Sequence, residues 1–187
     1  KDIDVINAGL TNVSFSFSVG KEKYVYRHPG GTAGNLINRQ TEYFAQTAAK
    51  NIGIDKSFIK MDISGWKISH FVENARNCDF EKSDEQLKIA MVYLRKLHEV
   101  APDNSVKVFD NVKEGKKLMK IASATKGHLE KEFTEIIGKI DRLYDYIKSD
   151  AERLGYNLVL CHNDTYAPNY LYDKDEKIYL IDWEYAG

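Results

Sequence analysis

The chain of 187 residues lacks the features that mark several classes of protein. It contains only two cysteines, Cys78 and Cys161, which are far apart and show no zinc-like spacing. We therefore expect a reduced, cytoplasmic compartment, because disulfide frameworks need several cysteines and zinc sites need closely spaced ones. The net charge is −1, from 27 basic and 28 acidic residues, so the basic excess that marks nucleic-acid-binding proteins is missing.

Long apolar runs are missing as well. No run of about 18 apolar residues occurs, and no charged-then-apolar leader follows Lys1. We expect neither membrane insertion nor a secretory signal. What remains, 43% hydrophobic and 29% charged residues, is the composition of an ordinary globular protein. The oligomeric state is left open by the sequence.

The most informative part of the chain runs from Cys161 to Gly187. Two apolar runs, residues 158–161 and 178–181, predict short buried strands, and each leads directly into polar side chains. Asp173 lies where we expect the turn of a hairpin. Functional residues often follow strands in this way. For any single residue, a cap or turn former is the simpler interpretation.

Asp164, Asn169 and Asp182 follow these runs in the order that phosphoryl transfer uses: a catalytic Asp, an Asn, and a metal-binding Asp. Phosphoryl transfer depends on positioning and charge neutralisation. Asp164 would orient the acceptor hydroxyl and take its proton, while Asn169 and Asp182 would offer hard oxygen ligands to Mg²⁺. From residue 161 onward there are six acidic and two basic residues, so triphosphate binding requires a divalent cation. The sequence predicts ATP and Mg²⁺ as cofactors.

The residues from His162 to Asn169 and from Ile181 to Tyr185 together resemble the choline and ethanolamine kinase family, within the aminoglycoside-phosphotransferase and protein-kinase-like superfamily. The resemblance implies an ATP-dependent kinase that phosphorylates the hydroxyl of choline or ethanolamine. In that family the Glu of the second block lies beside the metal, which implies a metal role for Glu184. We expect His162 to hold the loop backbone and Trp183 to be a packing residue.

Two alternatives to this function stay open. One is an aminoglycoside or other small-alcohol phosphotransferase, and the other is a non-catalytic nucleotide-binding regulatory module. A quaternary ammonium acceptor requires aromatic faces and nearby carboxylates, but tyrosines are also common packing residues, so no cation-binding cage is assigned. Gly187 follows the second block directly. We expect a helical segment beyond it to complete the pocket for the amino-alcohol.

The first part of the chain predicts an antiparallel sheet. Residues 13–17 and 23–27 have strand character and are separated by a tight turn. The sequence Gly-Leu-Thr-Asn at residues 9–12 resembles the turn that covers the phosphates in choline kinases, which implies a nucleotide contact for Asn12. Arg27 takes the place of the phosphate-binding cation. Its alternative role is a solvated cation at a strand end.

A helix and a hinge are predicted next. Glu42 lies at the edge of the helical face, where kinases pair an acidic residue with the phosphate-binding cation; a surface pair with Arg39 is the alternative. We interpret residues 71–74 as a hinge, where Phe71 and Glu73 would meet the adenine edge. The predicted apolar face of the helix consists of Leu36, Ile37, Tyr43, Phe44 and Ala48.

The order of elements predicts an α+β, two-lobed protein-kinase-like fold. Residues 1–74 would form a small antiparallel-sheet N-lobe that binds the nucleotide. Residues 75–187 would form a mainly helical C-lobe with the catalytic and metal motifs, which we expect to be incomplete at its carboxyl end. Ser83 and Gln86 predict the start of a C-lobe helix.

Overall fold

A computed structural model describes residues 3–6, 12–30, 37–125 and 129–187. The expected turn from Gly9 to Thr11 and the apolar residue Leu36 lie outside these ranges. The fold is the α+β, kinase-like arrangement that the sequence predicts, with an antiparallel sheet first and helices with a second, smaller sheet afterwards.

Within the described residues, five strands form the first sheet, in the order β1-β2-β3-β5-β4 and with antiparallel pairing throughout. The turn between β2 and β3 lies at residues 20–21, as predicted. The strands are β1 (Ile3–Ile6), β2 (Val13–Val19), β3 (Glu22–His28), β4 (Phe58–Met61) and β5 (Lys67–His70).

The pairing register gives this sheet two different faces. Phe15 lies opposite Tyr26, and their ring centroids are 5.0 Å apart, so aromatic rings lie on one face. Arg27 lies opposite Lys67 across the β3–β5 pair. Because successive side chains in a strand point to opposite faces, these two cations share the face away from Tyr26. That face meets the first helix and the candidate site.

Helix α1 spans Arg39–Asn51 and begins at Asn38, whose side chain accepts a hydrogen bond from the backbone N–H of Thr41. The prediction of its apolar face was wrong at Tyr43, which is 49% exposed. The buried side chains are instead Thr41, Glu42, Ala45, Gln46 and Ala49. Two alanines let the helix approach the core closely, and two polar residues on the same face enter a network of ion pairs and hydrogen bonds.

The segment 71–74 leaves the first sheet, and the chain then enters a second one. There β7 (Tyr170–Tyr172) is the middle strand and pairs with both β6 (Arg76–Asn77) and β8 (Ile178–Leu180). The β7–β8 hairpin turns at Asp173, whose Oδ1 accepts the backbone N–H groups of the residues two and four further on. The predicted lobe boundary after residue 74 stays a prediction.

Helix α2 spans Asp84–His98 and has the predicted cap, since the Ser83 side chain accepts the backbone N–H of Gln86. Its buried side packs into a core that also receives residues from the second sheet and from the chain end. The fully buried apolar members of that core with the largest side chains are Ile54, Leu97, Leu160, Tyr170, Leu180 and Trp183.

The described residues 158–161 form no strand, so the first of the two apolar runs was predicted wrongly. Cys161 makes two backbone hydrogen bonds, both with Gly187, at 2.9 and 3.1 Å. A single paired residue is too short for a strand, and the run remains an extended entry into the polar loop. Leu160 is buried, whereas Leu158 and Val159 are exposed, so the apolar run does not form one buried segment.

The chain forms two compact units, Lys1–Lys107 together with Val159–Gly187, and Val108–Leu158. The second unit contains α3 (Asn111–Thr125) and α4 (Leu129–Arg153), which pack against each other. Two contacts between these helical segments are Lys116 Nζ to Asp141 Oδ1 and Tyr144 Oη to Asp110 Oδ2, both 2.6 Å. Among the helices in the described ranges, none has the length and apolarity to cross a membrane.

Candidate active site

The loop after Leu160 is held by His162, which is 1% exposed. Its Nδ1 accepts the backbone N–H of Asp164 at 3.2 Å, so the proton lies on Nε2, which donates to the carbonyl oxygen of Ile181 at 2.9 Å. Burial lowers the pKa of His162 and outweighs the hydrogen bond to Ile181, which raises it. A neutral histidine with both ring nitrogens in use fixes the backbone, as expected, and is not placed to act as a base.

Asn169 fixes the carboxylate of Asp164. Its amide nitrogen donates to Oδ2 and to the backbone oxygen of Asp164, both at 2.8 Å. Asn169 ends a short 3₁₀ helix, Ala167–Asn169, and is buried. Of the two carboxylate oxygens, the amide contacts Oδ2 alone. The Asp164 side chain is thus held in one orientation by the second residue of the predicted motif.

Asp182 is brought to the same place by the second sheet. The backbone N–H of Ile181 donates to the carbonyl oxygen of Asn169 at 2.9 Å, so Asp182 follows directly beside Asn169. Asp182 has a φ of 67°, which is uncommon for a residue with a side chain and is found often at functional sites. It precedes a short 3₁₀ helix, Trp183–Tyr185. The three polar residues predicted from the sequence therefore lie around one short backbone junction.

Arg27 reaches this junction from β3. Its Nη1 donates to Asp182 Oδ1 at 2.6 Å and its Nη2 donates to Glu184 Oε2 at 2.9 Å. Burial alone would lower the pKa of Arg27, but the carboxylates of Asp182 and Glu184 raise it above its ordinary value. The guanidinium is therefore a permanent charge beside the candidate metal ligands, and the alternative of a solvated strand-end cation is wrong.

Glu184 and Asn12 complete this group. Asn12 Nδ2 donates to Glu184 Oε2 at 3.2 Å, and Asn12 Oδ1 accepts the backbone N–H of Gly30 at 3.4 Å. Burial raises the pKa of Glu184, as does the charge of Asp182, while Arg27 and Asn12 oppose this change. Asn12, expected near the phosphates, is thus linked to the motif at the other end of the chain.

Glu42 pairs with Lys67 and Arg39 instead of Arg27. Its Oε1 is 2.8 Å from Lys67 Nζ, and its Oε2 accepts from Arg39 Nη1. The sequence left Arg27 and Arg39 open as partners of Glu42, and in the structure Glu42 binds Arg39. Lys67 also donates to Gln46 Oε1 at 3.3 Å.

Lys67 was not recognised from the sequence. The β3–β5 register places Lys67 opposite Arg27, and its partner Glu42 lies 25 residues earlier on α1, so no local pattern provides this contact. The available signal was a lysine between Trp66 and Ile68, at an inward position of a short strand.

Phe71 and Glu73 lie apart from these contacts. The backbone N–H of Phe71 donates to the carbonyl oxygen of Lys23 at 2.9 Å, and Lys23 Nζ lies 4.5 Å from the centroid of the Phe71 ring. Glu73 is exposed. Neither residue takes part in the described hydrogen bonds of Arg27 or Asp182, so their place at the adenine edge stays a prediction.

The donor set suits Mg²⁺. Asp182 and Asn169 offer hard oxygen ligands, and Mg²⁺ commonly binds through one or two such side chains together with substrate phosphates. In the described ranges of the chain, no group of three or more His, Cys, Asp or Glu residues is arranged to hold a metal ion. Asp182 Oδ1 is occupied by Arg27. Any cation bound by that oxygen has to share it with the guanidinium or replace it.

The sheet, the α1 helix and the junction of Asp164, Asn169 and Asp182 define a protein of the protein-kinase-like class. A model of the choline/ethanolamine kinase family matches residues 3–187. The chain belongs to the choline/ethanolamine kinase family.

Similar proteins agree with this membership. Protein LicA of Haemophilus influenzae is 28% identical over 186 residues, which are 96% of this chain and 52% of that protein. The chain thus spans about half the length of this curated relative. The crystal structure of choline kinase LicA from Streptococcus pneumoniae has a TM-score of 0.72 and 22% identity, covering 100% of this chain and 64% of that one.

A more distant neighbour is spectinomycin phosphotransferase APH(9)-Ia, solved with ADP and spectinomycin. Its TM-score is 0.57 and its identity 18%, with 98% of this chain and 64% of that chain covered. At such identities the two solved structures establish the fold alone.

Proposed function

We propose that the chain carries the nucleotide site and the catalytic loop of an ATP-dependent kinase that phosphorylates the hydroxyl of choline, with ethanolamine as the nearest variant. The observation that carries the proposal is the fixed Asp164 carboxylate, which accepts the Asn169 amide at 2.8 Å beside Asp182. Family membership supports the same reaction. The order and types of these residues are those that phosphoryl transfer requires.

In this proposal each residue has one role. Asp164 orients the acceptor hydroxyl and takes its proton as the phosphoryl group is transferred. Asn169 and Asp182 hold Mg²⁺, which neutralises phosphate charge. Arg27 contacts the phosphates through its guanidinium. Glu42 supports the nucleotide side of the site through α1.

ATP and Mg²⁺ are the proposed cofactors. The ADP complex of the spectinomycin phosphotransferase supports nucleotide binding by this fold. The acidic character of residues 161–187 also supports a divalent cation, because triphosphate and carboxylates repel each other without one. Phe71 and Glu73 are proposed to meet the adenine edge, since they follow β5 directly.

The test measures ADP release by the intact protein with MgATP and one acceptor at a time: choline, ethanolamine, an aminoglycoside or no acceptor. We expect choline to give the fastest release and ethanolamine to follow. Faster release with the aminoglycoside would replace the proposal by the alternative phosphotransferase. Nucleotide binding without acceptor-dependent release would support the regulatory module.

A metal titration tests the site itself. Asp182→Asn should weaken Mg²⁺-dependent ATP binding, because it removes a charged oxygen ligand, and Asn169→Ala should do so more mildly. Asp175→Asn is a matched control, since Asp175 is an exposed carboxylate in the turn of the same hairpin. An unchanged magnesium dependence in the Asp182 variant would remove this residue from the metal site.

A further inference from the structure

Glu184 is nearly inaccessible and accepts two hydrogen bonds on a single oxygen. Its side chain is 7% exposed. Arg27 Nη2 and Asn12 Nδ2 both donate to its Oε2, at 2.9 and 3.2 Å. A carboxylate oxygen has about two lone-pair directions. The described contacts therefore use the accepting capacity of Oε2 for Arg27 of β3 and for Asn12, which directly precedes β2.

Asp182 is placed differently, although it binds the same guanidinium. Its side chain is 29% exposed, about four times the value for Glu184, and within the described ranges Oδ1 accepts one donor, Arg27 Nη1. An incoming cation can reach Asp182 and displace one N–H group. At Glu184 Oε2 the same cation would have to displace two donors in a nearly closed space.

We infer that Glu184 is a positioning residue, which holds the Arg27 guanidinium and the Asn12 amide for the nucleotide, and that it is not a ligand of the metal. The inference rests on the proposed function for the roles of Arg27 and Asp182. It assigns Glu184 a role different from the one that the family resemblance implies.

The geometry explains why such a residue is useful. A guanidinium is a planar fork, so fixing one Nη group also fixes the plane of the others. With Nη2 held by Glu184, Nη1 stays directed at the place where Asp182 and the phosphates meet. Asn12 adds a second tie, because its Oδ1 accepts the backbone N–H of Gly30. Glu184 thereby joins the segments before β2 and after β3 to the metal motif.

The test compares ATP affinity with Mg²⁺ and with EDTA for the intact protein and three variants. A charge-assisted hydrogen bond is typically worth about 10-fold in affinity. Glu184→Ala should therefore weaken ATP binding about 10-fold in both media, since no metal is involved. Glu184→Gln keeps an acceptor oxygen and should lose less than about threefold. Asp182→Asn is the matched control and should lose affinity only with Mg²⁺.

A loss confined to the magnesium samples of Glu184→Ala would make Glu184 a metal ligand and overturn the inference. No loss in either medium would overturn it too, as would a glutamine variant as weak as the alanine variant in EDTA. The side-chain amide NMR signals of Asn12 give a readout that needs no nucleotide. They should shift in Glu184→Ala and stay close to wild type in Glu184→Gln.

The NMR readout separates this inference from the proposed function. If the wild-type protein bound no ATP in either medium, the proposed kinase function would fail. The Asn12 signals would still decide whether Glu184 positions Asn12 and Arg27. Unshifted Asn12 signals in Glu184→Ala would contradict the positioning role on their own.

Discussion

At the scale of single residues, the Asp164 carboxylate makes no described hydrogen bond to Arg27. The carboxylate accepts the amide of Asn169, whereas Arg27 donates to Asp182 and Glu184. We expect Asp164→Ala to lower turnover ~10²–10⁴-fold, the usual contribution of a positioned base. ATP affinity should change little. Acceptor-dependent ADP release and nucleotide titration measure the two quantities.

The control for this variant is Asp175→Ala, which removes an exposed carboxylate from the β7–β8 turn. It should leave turnover and ATP affinity near wild type. Near-normal turnover in Asp164→Ala would show that the proton is accepted elsewhere. A large loss of ATP affinity in that variant would place Asp164 on the nucleotide side.

Lys67 is the residue that sequence patterns missed, and its expected effect is on stability. Its Nζ is buried between Glu42 and Gln46, at 2.8 and 3.3 Å. Breaking a buried pair leaves an uncompensated charge and typically costs ~3–5 kcal/mol. Because Glu42 keeps Arg39 as a second partner, we expect Lys67→Met to lower the free energy of unfolding by less than that full amount, measured with urea at pH 7. Lys60→Met, on the exposed side of β4, is the control and should change little. If both variants lost the same free energy of unfolding, the ion pair of Lys67 would not be the cause of the loss.

The pH dependence of Glu42 follows from the same pair. Burial alone would raise the pKa of Glu42, but Lys67 and Arg39 hold it below its ordinary value of 4.5. A carboxylate with a lowered pKa in the folded state stabilises the fold at pH values above its unfolded pKa. This stabilisation is lost as the pH falls through the folded pKa. The stability advantage of wild type over Glu42→Gln should therefore be constant above about pH 5 and shrink as the pH falls below the unfolded pKa of 4.5. Urea unfolding between pH 3 and 7 measures it, and an advantage that grew on acidification would contradict the ion pair.

At the scale of elements, local sequence patterns correctly predicted the strands and helix caps that depend on residues close together in the chain. Alternation in residues 13–17 predicted β2, and Ser83 with Gln86 predicted the start of α2. The run 158–161 was misread as a strand, because an apolar pattern alone does not show which residues are buried: Leu160 is buried, whereas Leu158 and Val159 are exposed. The buried face of α1 was misread because Glu42 and Gln46 are buried by distant partners. Those partners, Lys67 and Asp55, lie outside α1, so the pattern of the helix itself does not contain them.

The turn between β4 and β5 requires a glycine at position 65. Its φ is 99°, and a Cβ there would lie 2.5 Å from Arg39 Nε. Gly65→Ala should therefore strain the backbone and push away the side chain that holds Glu42, with a cost of ~1–3 kcal/mol. Thermal or urea unfolding measures this cost.

Gly20→Ala is the matched control for the turn. Gly20 has a φ of 63° and no heavy atom within 4 Å of an added Cβ. Its cost should be confined to the left-handed backbone, about 1 kcal/mol. If Gly65→Ala cost no more than Gly20→Ala, the approach of Arg39 would not constrain the turn.

At the scale of the whole molecule, the motif order predicted the fold class and placed Asp164, Asn169 and Asp182 at one site. The order of elements was sufficient for this, because residues 162–169 and 181–185 both adjoin the short antiparallel hairpin of β7 and β8. The division into compact units was not visible in the sequence. Residues 108–158 are lysine-rich and amphipathic, so their packing as a separate helical pair had no distinctive pattern.

The two compact units should respond differently to nucleotide. All the proposed site residues belong to Lys1–Lys107 with Val159–Gly187, whereas α3 and α4 make up most of the other unit. A ligand at 100 times its Kd stabilises the structure that binds it by about 2.7 kcal/mol, or ~100-fold in the exchange of globally protected amides. With MgADP at that excess we expect slower hydrogen exchange in β3, β5, β7 and β8, and a change below about twofold in α3 and α4. Asp182→Asn should lose the part of the protection that requires Mg²⁺. Equal slowing in α3 and α4 would show that the two units open together as one cooperative structure.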